Sequence, residues 1–215
     1  MLNGQGFCED LRMTLLPLNV LAVGNAIVDI FVQCDDDFLV ANNIEKGVMT
    51  LLDPAESARL YAALDTFAQP RLMSGGSAAN TAVGVVAFGG TANFVGRVHD
   101  DDLGSAFRRD IIAAGVGFDN PPACFGSPTA SSIILVTPDA ARSMNTCLGA
   151  SIEFEAADLE LANAAAAQVI YLEGYLFDAP NGPSVFAEAA RLAYFHGAKL
   201  ALSLSDPWCV ERHRA

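Results

Sequence analysis

Short apolar runs alternate along this chain with stretches of helical period, and no other feature narrows the fold so far. Asn19–Gly24, Thr91–Val95, Val169–Leu172 and Lys199–Leu204 are too short for helices and rich in aliphatic side chains, as the buried strands of a parallel sheet are. Alanine- and leucine-rich segments with helical spacing follow or precede them: one from Ser77, then Ser105–Ala114, Glu155–Ala167 and Ser184–His196, with Gly115 and Gly197 as stops. Strand and helix in regular succession predict an α/β fold, a parallel sheet with helices on both faces. A hydrophobic content of 52% against 17% charge supplies the core this needs and argues against disorder. A length of 215 residues suits one domain.

The densest stretch is Leu72–Gly104. Gly75 and Gly76 precede Ser77, and an apolar run begins at Ala78, which predicts a tight turn feeding a helix with Ser77 near its N-cap. A turn without Cβ atoms lets a ligand approach the backbone, and the free N–H groups of a helix start can donate to it. Asn80 projects to the same side, one turn in. Glycine spacing alone favours a plain connecting turn. Asp100, Asp101 and Asp102 precede the helix at 105–114, where they suit capping and the helix dipole.

Other local signals are plain. Asp53, Pro54 and Glu56 form a capping box that opens a helix running to about Phe67. Asp35-Asp36-Asp37 reads as a solvated turn, and Val48–Leu52 as a short strand. Residues 116–128 form a loop; Thr129–Val136 and Arg142–Cys147 are paired strands around a turn at Pro138. Met1–Leu18 has no basic start and no cleavage site, so it reads as a disordered extension, with Met13 a second candidate start.

Three charged residues stand out. Asp29 lies in the apolar run Asn25–Gln33, where an unpartnered carboxylate is costly to bury. It either accepts backbone amides of a neighbouring turn or accepts the vicinal hydroxyls of a sugar, a task for which an acceptor-only group is fit. Glu173 follows a strand at the end where ligands sit in open α/β sheets. Arg142 suits a phosphate or a cross-strand or surface pair equally.

A net charge of −13 argues against nucleic acid or anionic membrane as partners, since both require clustered Lys and Arg. It leaves room for an anionic cosubstrate at a locally basic site. The five cysteines, Cys8, Cys34, Cys124, Cys147 and Cys209, include no CxxC pair and read as thiols of a reducing cytosol, hence a cytoplasmic protein. No apolar run reaches membrane-spanning length.

Taken together, Gly75, Gly76, Asn80, Ala82, Gly89 and Gly96-Arg97-Val98 resemble the first signature of the PfkB carbohydrate-kinase family, which includes ribokinases, fructokinases and adenosine kinases. His99 departs from it, standing where the family often has another glycine. The resemblance extends to Gly24 and Asp29, which match a Gly-x-x-x-x-Asp whose Asp contacts sugar hydroxyls. Asn25 is the residue adenosine kinases tend to carry there. The Arg142-Ser-Met hairpin is similar to the family's as well.

The resemblance implies a ribokinase-like domain over 19–215 with a small β lid near 30–52 and 129–147, and a homodimer through that lid. It implies ATP- and Mg-dependent phosphorylation of a hydroxymethyl group on a nucleoside, adenosine kinase-like, with a sugar kinase as the alternative. Asn25, Asp29, Gly75, Gly76 and Asn80 are its substrate-binding residues, and Arg142 and Glu173 lie on the ligand side. The family's second signature, Asp-Thr-x-Gly-Ala-Gly-Asp, and its Asn-x-x-Glu motif do not occur. The resemblance therefore covers the N-terminal two thirds of a family member. It implies an incomplete, inactive chain whose catalytic base lies beyond Ala215. A noncatalytic ligand-binding half-fold is the reading from another class. A nicotinamide dehydrogenase is disfavoured, because Gly24–Asp29 lacks the Gly-x-Gly-x-x-Gly fingerprint.

Overall fold

The computed structural model describes residues 17–67, 70–160 and 164–214. Strands β1 (Leu18–Val23), β5 (Ala92–Val95), β8 (Ala167–Glu173) and β9 (Lys199–Ser203) form one sheet in the order β5-β1-β8-β9, every pair parallel. Both faces of this sheet are packed at its centre, while Leu200 and Leu202 of the edge strand β9 are exposed. In β1, Leu21 and Val23 pack with Ile170, Leu172, Val185 and Ala189, whereas Ala22 packs with Ala78, Ala82 and Phe94. Alternate side chains of a strand point to opposite faces, so helices α3 (Ser77–Ala87) and α6 (Gly182–His196) lie on opposite sides of the sheet. The α/β architecture read from the alternation is the one that forms.

A second, mixed sheet has the order β3-β7-β6-β2-β4, from β3 (Met49–Leu51), β7 (Arg142–Cys147), β6 (Ala130–Val136), β2 (Ile27–Gln33) and β4 (Arg71–Gly75). Its β2–β6 and β3–β7 pairs are parallel, and its β2–β4 and β6–β7 pairs antiparallel. One face, with Val28, Ile30, Val32, Ile133 and Leu135, joins the same core as α3. The other carries Asp29 and Phe31, and at its edge Met49 and Leu51 are exposed.

Several local expectations shift. Arg71–Gly75 is a strand where the sequence suggests only a turn. It pairs with β2, and Asp110 of α4 (Asp102–Ala113) accepts from Ser74 N–H at 2.6 Å and Ser74 O–H at 2.7 Å. The Asp35–Asp37 run is no solvated turn: Asp35 caps helix α1 (Asp36–Ala41), whose Leu39 is buried and whose Phe38 meets the Phe67 ring edge-on. The Asp53–Glu56 capping box is present in both halves and opens α2 (Pro54–Ala63). That helix tightens to a 3-10 turn over Leu64–Thr66.

Strand β1 begins at Leu18, a core residue, one position inside the expected extension; residues 1–16, with Cys8 and Met13, lie outside the described residues. Only α5 (Ala156–Glu160) and a 3-10 turn, Ala164–Ala166, stand within the long helix expected over 155–167, and residues 161–163 of it lie outside the described residues. After β9, Asp206 caps a further helix, α7 (Pro207–Arg212), in a stretch to which sequence reading assigns no helix. Cys34, Cys147 and Cys209 are buried free thiols, and Cys124 is exposed. Among the described residues no helix is long and apolar enough to cross a membrane.

Candidate functional site

The site forms where the chain passes from one sheet to the other. Only Gly24, Asn25 and Ala26 separate β1 from β2, and Asn25 and Ala26 are buried. Asn25 Nδ2 donates to Glu173 Oε1 across 3.0 Å. Glu173 closes β8, and its other oxygen, Oε2, accepts the N–H of Ala78 at 2.9 Å, in the first turn of α3. One carboxylate thus ties the end of a strand, the inter-sheet crossing and a helix start. Glu173 is 1% exposed. Burial pushes its carboxyl above the usual range, and the bonds from Ala78 and Asn25 act against that. Asn25 Oδ1 is buried and has no partner among the described residues.

The glycine pair sits directly against this crossing. Gly76 has φ +96°, and a Cβ there would collide with the Asn25 carbonyl oxygen. Gly76, rather than Ser77, is the N-cap of α3, and no side chain caps that end. The reason is geometric: the helix already begins at Ser77, which leaves the positive-φ residue as the last one outside. Gly75 is the final residue of β4, and a Cβ on it would lie 2.6 Å from Asp29 Cγ. The carboxylate occupies the space that any side chain at position 75 would take.

Asp29 stands mid-strand in β2, opposite Met73 of β4 and Ser132 of β6. Burial pushes its carboxyl up to about 6, and the Arg142 guanidinium opposes the rise. No described residue donates a hydrogen bond to it, the Gly75-Gly76 turn included. An acceptor-only group with no protein donor, facing a turn stripped of side chains, is suited to hydroxyl donors from outside the protein.

Asn25, Asp29, Gly75, Gly76 and Glu173 therefore converge. Asn80 is exposed on the first turn of α3, where its backbone N–H bonds the Gly76 carbonyl. Arg142 is exposed on β7, its guanidinium 5.7 Å from the Phe31 ring centroid, so it acts on Asp29 through its field. The Ala78 N–H, Ser74 and Asp110 escape sequence reading: a backbone donor carries no residue signature, and Asp110 sits in a helix as any surface carboxylate does.

Residues 48–210 match the family described as pfkB family carbohydrate kinase. Among solved structures, the chain is similar to an adenosine kinase from Sinorhizobium meliloti, with 46% identity and a TM-score of 0.80. It is similar also to a probable sugar kinase from Rhizobium etli CFN 42, with 44% identity and a TM-score of 0.80. In both cases 93% of this chain is covered, and the chain spans 60% of the length of the other. A fructokinase from Escherichia coli is 48% identical over 42 residues, which are 20% of this chain and 14% of that protein.

Proposed function

The chain belongs to the pfkB family of carbohydrate kinases, and from that premise we propose that it carries the acceptor-binding part of a kinase for the hydroxymethyl group of a nucleoside, adenosine kinase-like. The observation that supports this most is Asp29: a half-buried carboxylate with no donor among the described residues, set against Gly75. In this reading Asp29 accepts hydrogen bonds from the two vicinal ribose hydroxyls. Gly75 and Gly76 let the sugar ring approach the backbone, and Asn80 takes up a further polar group at the helix start. Asn25, held by Glu173, keeps the crossing in place and offers its unpartnered Oδ1 as an acceptor. The β3, β6 and β7 region, with Arg142, closes over the acceptor as a lid.

ATP and magnesium are implied by the family, and the described residues do not form a site that fits magnesium. Magnesium requires oxygen ligands in near-octahedral array. The potential metal-binding cluster among the described residues pairs one carboxylate with a thiol and an imidazole. Nor does the chain contain a glycine-rich phosphate loop of the family's second signature or of the Walker type. The 215 residues accordingly bind the acceptor and do not turn it over at enzymatic rates.

Calorimetric titration of the 215-residue chain with adenosine and 2′-deoxyadenosine tests the reading. Adenosine binds more tightly, and Asp29→Ala lowers its affinity at least about a hundredfold, because two charge-assisted bonds of roughly 1.5–3 kcal/mol each are lost. The mutant also loses the preference for the 2′-hydroxyl. Equal discrimination by wild type and mutant sinks the assignment of Asp29. The likeness to a probable sugar kinase supports a second reading, in which a free sugar such as fructose binds in preference to adenosine.

A further inference from the structure

Away from the acceptor site, the turn after β8 and helix α7 bring three metal-ligand side chains to one point. Asp178 closes the 3-10 turn Gly174–Asp178. Cys209 lies within α7, and His213 is its C-cap residue, four positions on, so one side of the helix presents both. An oxygen of Asp178, Cys209 Sγ and a ring nitrogen of His213 all lie within 4.8 Å of one another. The turn and the helix are already fastened here: His213 Nε2 is 2.7 Å from Asp178 Oδ1, and Tyr175 O–H donates to Asp206 Oδ2 at 2.7 Å.

We propose that Asp178, Cys209 and His213 bind zinc, leaving one coordination position open. Thiolate, imidazole and carboxylate together suit zinc and disfavour the hard cations magnesium and calcium. Zinc–ligand bonds of about 2.0–2.3 Å set tetrahedral ligand atoms roughly 3.3–3.8 Å apart, so the 2.7 Å Asp178–His213 contact opens by about 1 Å and the separations of up to 4.8 Å close by about as much. Cys209 loses its proton to solvent as the zinc–sulfur bond forms. Asp178 and His213 reach solvent and provide the entry path.

Arg212 is the competing cation, with Nε 3.0 Å from Asp178 Oδ1 and Nη2 2.6 Å from Oδ2. Zinc displaces only the first of these bonds. The second holds the far oxygen of the ligating carboxylate, as outer-shell partners of metal ligands commonly do. Ion pairing by itself explains why Asp178, Arg212 and His213 meet, but it gives no part to the buried thiol beside them.

The test adds cobalt(II) to the metal-free 215-residue protein and follows thiolate-to-cobalt charge-transfer absorption, then displaces the cobalt with zinc against a chromophoric chelator. A three-ligand site falls short of the roughly 10–16 kcal/mol of full structural zinc sites, so a Kd of about 1 μM is expected. Cys209→Ser abolishes the charge-transfer band and weakens zinc at least about a hundredfold, beyond the effect of outer-shell changes. His213→Gln, at an exposed helix end where folding is not at stake, weakens zinc comparably while leaving the band. The proposal fails if no band appears, if the band survives in Cys209→Ser, or if His213→Gln binds zinc as wild type does.

Discussion

Asp29 and Glu173 stand at the two ends of one short turn, Gly75 to Ala78, and burial raises the proton affinity of both. They are built into the protein in opposite ways. Glu173 is almost wholly enclosed and has a protein donor on each oxygen. Asp29 is half-buried with no donor from any described residue, and the positive charge that acts on it is that of Arg142, which lies over a neighbouring ring. A buried carboxylate that spends its acceptors on the fold positions other groups. One that withholds them destabilises the ligand-free protein and gains its partners when a ligand arrives.

The largest effect expected from that contrast is at Glu173. Glu173→Ala strands the Asn25 amide and the Ala78 N–H in a dry site at about 1–3 kcal/mol each, so stability falls by roughly 2–6 kcal/mol. That is a large share of the 5–15 kcal/mol or so that holds an ordinary domain. Glu173→Gln keeps the shape and one acceptor, and loses about half as much. Urea denaturation of the three proteins measures this, and a Glu173→Ala variant as stable as wild type breaks the comparison.

At Asp29 the sign reverses. Its folded-state carboxyl titrates at about 6, above the 3.8 of a free aspartate, so the folded state holds its proton more tightly than the unfolded. The resulting stability is fully present below about pH 4 and is lost as pH rises through about 6. Asp29→Asn, which cannot ionise, keeps it. The ligand-free mutant is therefore more stable than wild type above pH 7, by on the order of 2 kcal/mol, and the gain shrinks towards zero near pH 4. Melting curves of both proteins across that range decide it; a mutant less stable than wild type at pH 8 identifies Asp29 as a structural residue.

The smallest effect sharpens the picture of Asp29. Arg142→Gln removes the cation that opposes burial, so the Asp29 carboxyl midpoint moves further upward. The mutant also loses the guanidinium–Phe31 contact, worth about 0.5–1 kcal/mol at an exposed site. Carbon-detected NMR titration of Asp29 reads the shift directly. An unmoved midpoint means that Arg142 does not govern that charge.

Much of this was legible residue by residue, because the signals are local. The capping box at Asp53–Glu56, the glycine stop at Gly197 and the apolar strand runs each depend on neighbours within a few positions, and each formed as read. Local signals also misled. Three consecutive aspartates look like solvated turn, and only the burial of Leu39 and the contact of Phe38 with Phe67, distant in sequence, turn the segment into a helix. Arg71–Gly75, with its serine and glycine, has weak strand character of its own; β2 and Asp110 make it a strand.

By itself, then, the sequence determined the alternation of strands and helices, the place of the Gly75-Gly76 turn at the start of α3, and the oddity of a carboxylate at position 29. Tertiary structure alone decided which carboxylate serves the fold and which is left without protein donors. Asn25 and Glu173 are 148 residues apart, and their hydrogen bond exists because β1 and β8 pair in parallel and end side by side. Among the described residues Asp29 has no donor: Met73 opposite it carries none, the Ser132 hydroxyl pairs with Thr146, and the Ala78 N–H goes to Glu173. Hydrogen-bond satisfaction is a property of which groups meet in space, and strand pairing sets those meetings between segments whose local sequence carries no record of each other.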